Sequence, residues 1–128
     1  MIQTYLYIDR SEGRGRGVFT REAIPGDTVV EVSPVLVLSG EERRLLDQTL
    51  LHDYIFEWGE RKDRCCVALG YVSLYNHATP SNCEYFMDYG EDIIWVKTVR
   101  VIFPGEELTI NYNGSFENAD PVWFPALP

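Results

Sequence analysis

Hydrophobic positions fall mostly in short runs with a two-residue beat. Residues 2–8, 18–22, 28–32 and 35–38 are rich in β-branched and aromatic types, and 28–32 alternates as a half-buried strand does. Residues 65–69, 83–87, 93–101 and 108–110 continue the series. One stretch keeps a helical beat instead. Leu45, Leu46, Thr49 and Leu50 fall on one face, Ser39 can cap, and Glu41 and Glu42 suit a helix N-terminus. The spacing predicts a helix over residues 40–51, followed by a short aromatic segment at 54–58 and a charged loop at 60–64. Pro25-Gly26-Asp27 and Pro104-Gly105-Glu106 are turn signals: proline presets φ and glycine accepts positive φ. Each sits inside a strand–turn–strand unit, so residues 23–30 echo residues 101–108. Many short strands with one helix predict a mostly-β chain of small sheets.

Length and composition narrow the class. A chain of 128 residues is read as one domain, and 45% hydrophobic content is enough for a core. No apolar run reaches membrane-spanning length. The first residues lack the basic flank and cleavage site of a signal peptide, so an intracellular, soluble protein is expected. Cys65 and Cys66 are adjacent and Cys83 stands alone, which gives neither a disulfide framework nor a zinc pattern, and no metal is expected. Eleven basic against twenty acidic residues leave a net charge of −9. A nucleic-acid binder normally carries a basic footprint. This surface would instead attract cationic partners, or simply keep the protein soluble.

Three stretches carry polar groups that could do chemistry. Residues 11–17, Ser-Glu-Gly-Arg-Gly-Arg-Gly, read as a glycine-punctuated loop. The loop leads into a strand, which excludes a dinucleotide fingerprint resting on a helix N-terminus, yet its glycines would let backbone approach a ligand. Residues 73–85 hold Asn76, His77 and Pro80 between tyrosines, and Pro80 rules out a continuous helix. An asparagine amide can pair with a donor–acceptor edge, and His77 could be a base, a ligand or a structural residue. There is no nucleophile elbow. Tyr112 ends the third stretch, Glu106-Glu107-Leu108-Thr109-Ile110-Asn111-Tyr112, where it could equally be a core or edge residue.

Taken in order, these stretches resemble the SET-domain protein lysine methyltransferases. Residues 76–83, Asn-His-Ala-Thr-Pro-Ser-Asn-Cys, look like the family's Asn-His-Ser-x-x-Pro-Asn-Cys, and residues 105–112 like its Gly-Glu-Glu-Leu-Thr-x-Asp-Tyr. The resemblance runs from about Ser11 to Tyr112, leaving residues 113–128 as a short tail. It implies a SET fold: small curved sheets around a C-terminal pseudoknot, an exception to unthreaded connections. It implies S-adenosylmethionine as cofactor, with the Arg14-Gly15-Arg16-Gly17 backbone near its methionine part and Asn76 and His77 at its adenine and amino-acid ends. Tyr112 matches the catalytic tyrosine. Trp123, with Phe124 as alternate, is the candidate for the aromatic that packs on adenine. Tyr54 and Tyr85 resemble lysine-channel positions. Departures are Ala78 where serine is usual, Asn111 where aspartate is common, and Ile110 at a seat that helps set how many methyls are added.

The implied chemistry suits these residue types. A free lysine has a pKa near 10.4, so about one in a thousand is unprotonated at neutral pH, a cost of roughly 4 kcal/mol. An aromatic channel would desolvate the ammonium and lower that pKa, and would tolerate the charged products. Tyr112 is a poor base at neutral pH, so it is expected to position and polarise. A lysine-containing basic protein such as a histone is the expected partner, and pairing into a homodimer is allowed. The alternatives are a non-catalytic SET-fold module binding a basic peptide, and a methyltransferase acting on a small molecule.

Overall fold

The computed structural model describes residues 1–112. In chain order the strands are β1 (Leu6–Ser11), β2 (Gly15–Thr20), β3 (Val29–Leu38), β4 (Ile55–Trp58), β5 (Arg64–Ala68), β6 (Asn76–His77), β7 (Cys83–Asp88), β8 (Ile93–Thr98) and β9 (Glu107–Ile110). The helix α1 (Gly40–Leu46) stands between β3 and β4. The strands form two sheets among the described residues, ordered β1-β2-β9-β6 and β4-β5-β3-β8-β7. The mostly-β chain of small sheets expected from the sequence is observed, and its larger sheet curls. The edge strands β4 and β7 approach each other, with Phe56 and Tyr85 ring centroids 5.6 Å apart.

Several boundaries differ from the sequence reading. Residues 15–17 belong to β2 rather than to a loop, because Gly15, Arg16 and Gly17 pair with Ser11, Arg10 and Asp9 across a tight hairpin. Residues 29–38 form one strand where two were expected. Pro34 lacks an N–H and would break a central ladder. It is accommodated where β3 changes partner: residues up to Pro34 pair with β8, and residues from Val35 pair with β5. The helix ends at Leu46, short of residue 51, and its expected apolar face is not buried, with Leu45 67% and Leu50 77% exposed. Its start is as expected: Ser39 and Glu42 form a reciprocal capping box.

The two echoing units turn out to be partners. Ile24 and Ile102 exchange backbone hydrogen bonds of 2.8 and 2.9 Å, and both side chains are buried. Around them a single core collects Val18, Val30, Trp58, Ile94, Val96 and Leu108. Cys65, Cys66 and Cys83 are free thiols in that interior, and burial pushes the Cys66 thiol up to about 12.

Strand β9 is held from several directions. It pairs antiparallel with β2 and parallel with β6, matching Asn76 to Thr109 and His77 to Ile110. The Asn82 side chain then acts as a further strand. Its Nδ2 donates to the Glu107 carbonyl at 2.8 Å and its Oδ1 accepts from the Thr109 N–H at 2.7 Å. Residues 107–110 therefore run alongside the 76–83 segment, and the site is built at that crossing.

Candidate functional site

An open cleft of ≈ 740 Å³ lies beside β6, lined by Asp9, Arg10, Arg14, Gly15, Arg16 and Asn76 on one side and by Asp53, Tyr54, Ser73 and Tyr112 on the other. The hairpin β1–β2 supplies the first wall. The segment after the 3-10 turn Leu50–Asp53 supplies Tyr54, whose carbonyl accepts the Ser73 hydroxyl at 2.7 Å. Five residues expected at the site meet here besides Tyr112: Arg14, Gly15, Arg16, Tyr54 and Asn76.

Asn76 is fixed by its donors. Its Nδ2 gives one hydrogen bond to the Arg16 carbonyl at 3.0 Å and one to Glu107 Oε2 at 2.7 Å. Glu107 Oε1 accepts the Ser11 hydroxyl at 2.6 Å. Gly17 does not line the cleft. It passes over this cluster so closely that a Cβ would collide with the Glu107 carboxyl and stand 3.0 Å from Asn76 Nδ2. A glycine is required there for close approach, without any positive φ.

His77 is buried against the other end of β9. Its Nδ1 accepts the Tyr112 N–H at 3.1 Å, and Nε2 lies 3.2 Å from the Thr79 hydroxyl. The backbone can only donate, so Nδ1 carries a lone pair and the ring is the neutral Nε2–H tautomer. Burial, helped by the nearby Arg14 charge, lowers the His77 pKa and favours that form. The hydroxyl expected to be missing at Ala78 has a counterpart one residue later in Thr79, which also receives the Asn111 amide at 3.5 Å.

Tyr112 is held by both ends. Its ring packs on His77 with centroids 5.2 Å apart, and its hydroxyl donates to the Tyr75 carbonyl at 2.7 Å. Burial, with neighbouring Tyr54 and Tyr85, pushes its pKa up to about 12. Tyr85 donates to the Tyr112 carbonyl at 3.3 Å, and burial raises its pKa likewise to about 12. Tyr54 and Tyr85 thus both neighbour Tyr112, although of the two only Tyr54 lines the cleft. Trp123 and Phe124 lie outside the described residues.

The sequence reading missed three polar anchors, two buried (Glu31, Asn82) and one half-buried (Glu107). Asn82 stood inside the 76–83 motif without a role. Glu107 stood inside the last motif without one. Glu31 had no signal except a charge in the middle of a strongly apolar strand. It is fully buried, and its carboxyl accepts from the Ser33 hydroxyl at 2.6 Å, the Tyr71 N–H at 2.8 Å and the Tyr75 hydroxyl at 3.0 Å. It therefore fixes the Tyr71–Tyr75 segment whose last carbonyl holds Tyr112.

This geometry has known counterparts. The SET domain family model matches residues 15–113. A Schizosaccharomyces pombe protein named histone-lysine N-methyltransferase, H3 lysine-37 specific, is 38% identical over 125 residues, which span 97% of this chain and 80% of the relative. A Plasmodium falciparum crystal structure assigned as a histone methyltransferase superposes with a TM-score of 0.67 at 30% identity, covering 87% of this chain and 95% of that one. Polycomb Repressive Complex 2 of Chaetomium thermophilum, autoinhibited and bound to S-adenosylmethionine, superposes with a TM-score of 0.74 at 22% identity, covering 91% of this chain and 16% of that one, a likeness of fold. The chain belongs to the SET-domain family.

Proposed function

We propose that this SET-domain chain is a protein-lysine N-methyltransferase, moving a methyl group from S-adenosylmethionine to the ε-amine of a lysine. The observation that carries the reading is convergence. The hairpin backbone at Arg14-Gly15-Arg16, the oriented amide of Asn76 and the anchored phenol of Tyr112 face one cleft. The cleft volume and its mix of guanidinium, carboxyl and amide groups fit a zwitterionic nucleoside cofactor. When bound, that cofactor supplies an electrophilic sulfonium methyl.

The chain's own residues would do the rest. Arg14, Gly15, Arg16 and Asn76 would hold the cofactor, with Gly17 acting through its close approach to Asn76 and Glu107, and His77 through its backbone and by ordering β9. Tyr54 and Tyr85 would line a lysine channel. Tyr112 would keep its proton at neutral pH, because burial has raised its pKa to about 12. It would therefore orient the reacting groups and stabilise charge, not abstract a proton. The substrate amine must arrive neutral, and desolvation among tyrosine rings favours that. Trp123 would cover the adenine. Residues 1–128 are read as one domain with a short tail at 113–128.

The substrate class is a histone or similar lysine-rich protein. The S. pombe relative is named for histone H3, and a charge of −9 complements a basic tail. An intracellular setting follows from that substrate. Among the described residues no helix is long and apolar enough to cross a membrane. The test is incubation with methyl-labelled S-adenosylmethionine, core histones and a cell lysate, followed by mapping of the labelled residue. Label on a lysine, lost in Tyr112→Phe, is the expected result. Cofactor binding without label on any protein would leave a peptide-binding module, and label on a small molecule would replace the substrate class.

A further inference from the structure

We infer that Glu107 is a positioning residue for the cofactor: it locks the Asn76 amide with its carbonyl oxygen presented to the cleft as a hydrogen-bond acceptor. The inference rests on the cofactor reading above and adds a residue to it. Glu107 itself does not line the cleft; Asn76 and Arg16 do.

The locking follows from what each partner can do. An asparagine amide can rotate by half a turn and exchange its oxygen for its nitrogen with little change in shape. Here both groups facing Nδ2 are acceptors, the Arg16 carbonyl at 3.0 Å and Glu107 Oε2 at 2.7 Å. A flipped amide would set its oxygen against two acceptors and lose both bonds. The Arg16 carbonyl alone would favour the observed orientation only weakly. The carboxyl makes it decisive, since it gives the shorter of the two bonds and offers Asn76 only an acceptor oxygen there. Glu107 cannot swing away freely, because Oε1 is tied to Ser11 at 2.6 Å and its backbone carbonyl to Asn82 at 2.8 Å. Gly17 closes the cluster from above. The ligand consequence is specific. Asn76 Oδ1 seeks a donor, so at this position the wall selects an ammonium or amine edge of the cofactor, leaving the carboxylate to be met elsewhere.

Glu107→Ala removes the lock, while Glu107→Gln can keep it by turning its own oxygen to Asn76 and its nitrogen to the Ser11 hydroxyl. Binding of S-adenosylhomocysteine is measured by calorimetry for the parent, both variants, Asn76→Ala and the double variant Asn76→Ala/Glu107→Ala. Expected are a dissociation constant raised about 10-fold in Glu107→Ala, near-parent binding in Glu107→Gln, and less than about twofold further loss when Glu107→Ala is added to Asn76→Ala. An equal loss in both backgrounds would mean that Glu107 merely supports the hairpin, and overturns the proposal. So does unchanged binding in Glu107→Ala. A parent chain that binds no S-adenosylhomocysteine would overturn the cofactor reading first and this one with it. A readout without ligand guards against misfolding of the alanine variant. The Asn76 side-chain amide protons exchange slowly with solvent in the ligand-free parent and in Glu107→Gln if the lock exists, and fast exchange in both would sink it.

Discussion

Removing Glu31 should be among the most costly single substitutions in the chain. Glu31→Ala strips the acceptor from Ser33, Tyr71 and Tyr75, at 2.6, 2.8 and 3.0 Å. Ser33 and Tyr75 are buried, so their hydroxyls lose the partner without gaining water. Each stranded donor costs about 1–3 kcal/mol, and the vanished carboxyl returns part of its desolvation cost, leaving a net loss of about 3–5 kcal/mol. At an unfolding entropy near 2.1 cal/mol/K per residue, 4 kcal/mol lowers Tm by about 15 °C in a chain of 128 residues. Glu31→Gln should be far milder, about 1 kcal/mol. Its amide oxygen can serve Tyr71 and Ser33 while its nitrogen donates to the Tyr75 oxygen. The assay is chemical denaturation of the parent and both variants, with methyl transfer measured well below each midpoint. Glu31→Ala within about 1 kcal/mol of the parent, or Glu31→Gln as damaging as Glu31→Ala, would refute hydrogen-bond satisfaction as the role of this carboxyl.

Four further outcomes follow from the site. Tyr112→Phe loses the bond to the Tyr75 carbonyl and should lower kcat by about 10²-fold or more while leaving cofactor affinity within a few-fold, measured by calorimetry beside single-turnover rates. Gly17→Ala would drive the Glu107 carboxyl off Asn76 and Ser11 and should weaken cofactor binding about 10-fold and lower Tm, read by calorimetry and thermal melts, because the displaced carboxyl loses both hydrogen bonds. His77 has its folded pKa lowered from 6.5, so the unfolded chain binds the extra proton: stability is complete above pH 6.5 and declines as pH falls through the folded pKa. Thermal melts between pH 7.5 and about 5 should show that decline, and His77→Gln should flatten it. Asn82→Ala leaves the Thr109 N–H and Glu107 carbonyl without their side-chain partner, and a loss of about 2–3 kcal/mol in denaturant is expected; a loss below 0.5 would mean water replaces the clamp.

The sequence made the strands legible where apolar runs coincide with alternating burial, as in residues 93–98. It misplaced boundaries wherever tertiary pairing overrides local chemistry. Gly15-Arg16-Gly17 has the composition of a loop, but Ser11, Arg10 and Asp9 of β1 supply partners that keep it extended. Pro34 reads as a strand break, and only the exchange of neighbours from β8 to β5 removes the penalty. The apolar beat through Leu50 outlasts the helix, and that face is not buried: Leu45 and Leu50 are exposed. At the site, motif order brought forward Asn76, His77 and Tyr112, each of which stands in a short contiguous motif. Glu31 and Glu107 could not be read, since what matters about a carboxyl is which donors a distant segment brings to it.

Those missed residues share a physical role. The cleft is assembled where short segments cross, and β6 offers only Asn76 and His77 for backbone pairing. Two residues of ladder cannot hold reacting groups to a fraction of an ångström, which alignment of amine, methyl and sulfur demands. Side chains that imitate backbone supply the missing constraints. Asn82 bonds β9 as a neighbouring strand would, Glu107 joins the hairpin to Asn76, and Glu31 anchors the carbonyl on which Tyr112 rests. All are short, directional contacts inside the protein, where an unpaired polar group is expensive. Exchanging one oxygen for a nitrogen at these positions therefore tests the site more sharply than removing volume from the apolar core. A core methyl can be lost with partial relaxation, whereas an amide turned the wrong way presents the cofactor with the opposite chemistry.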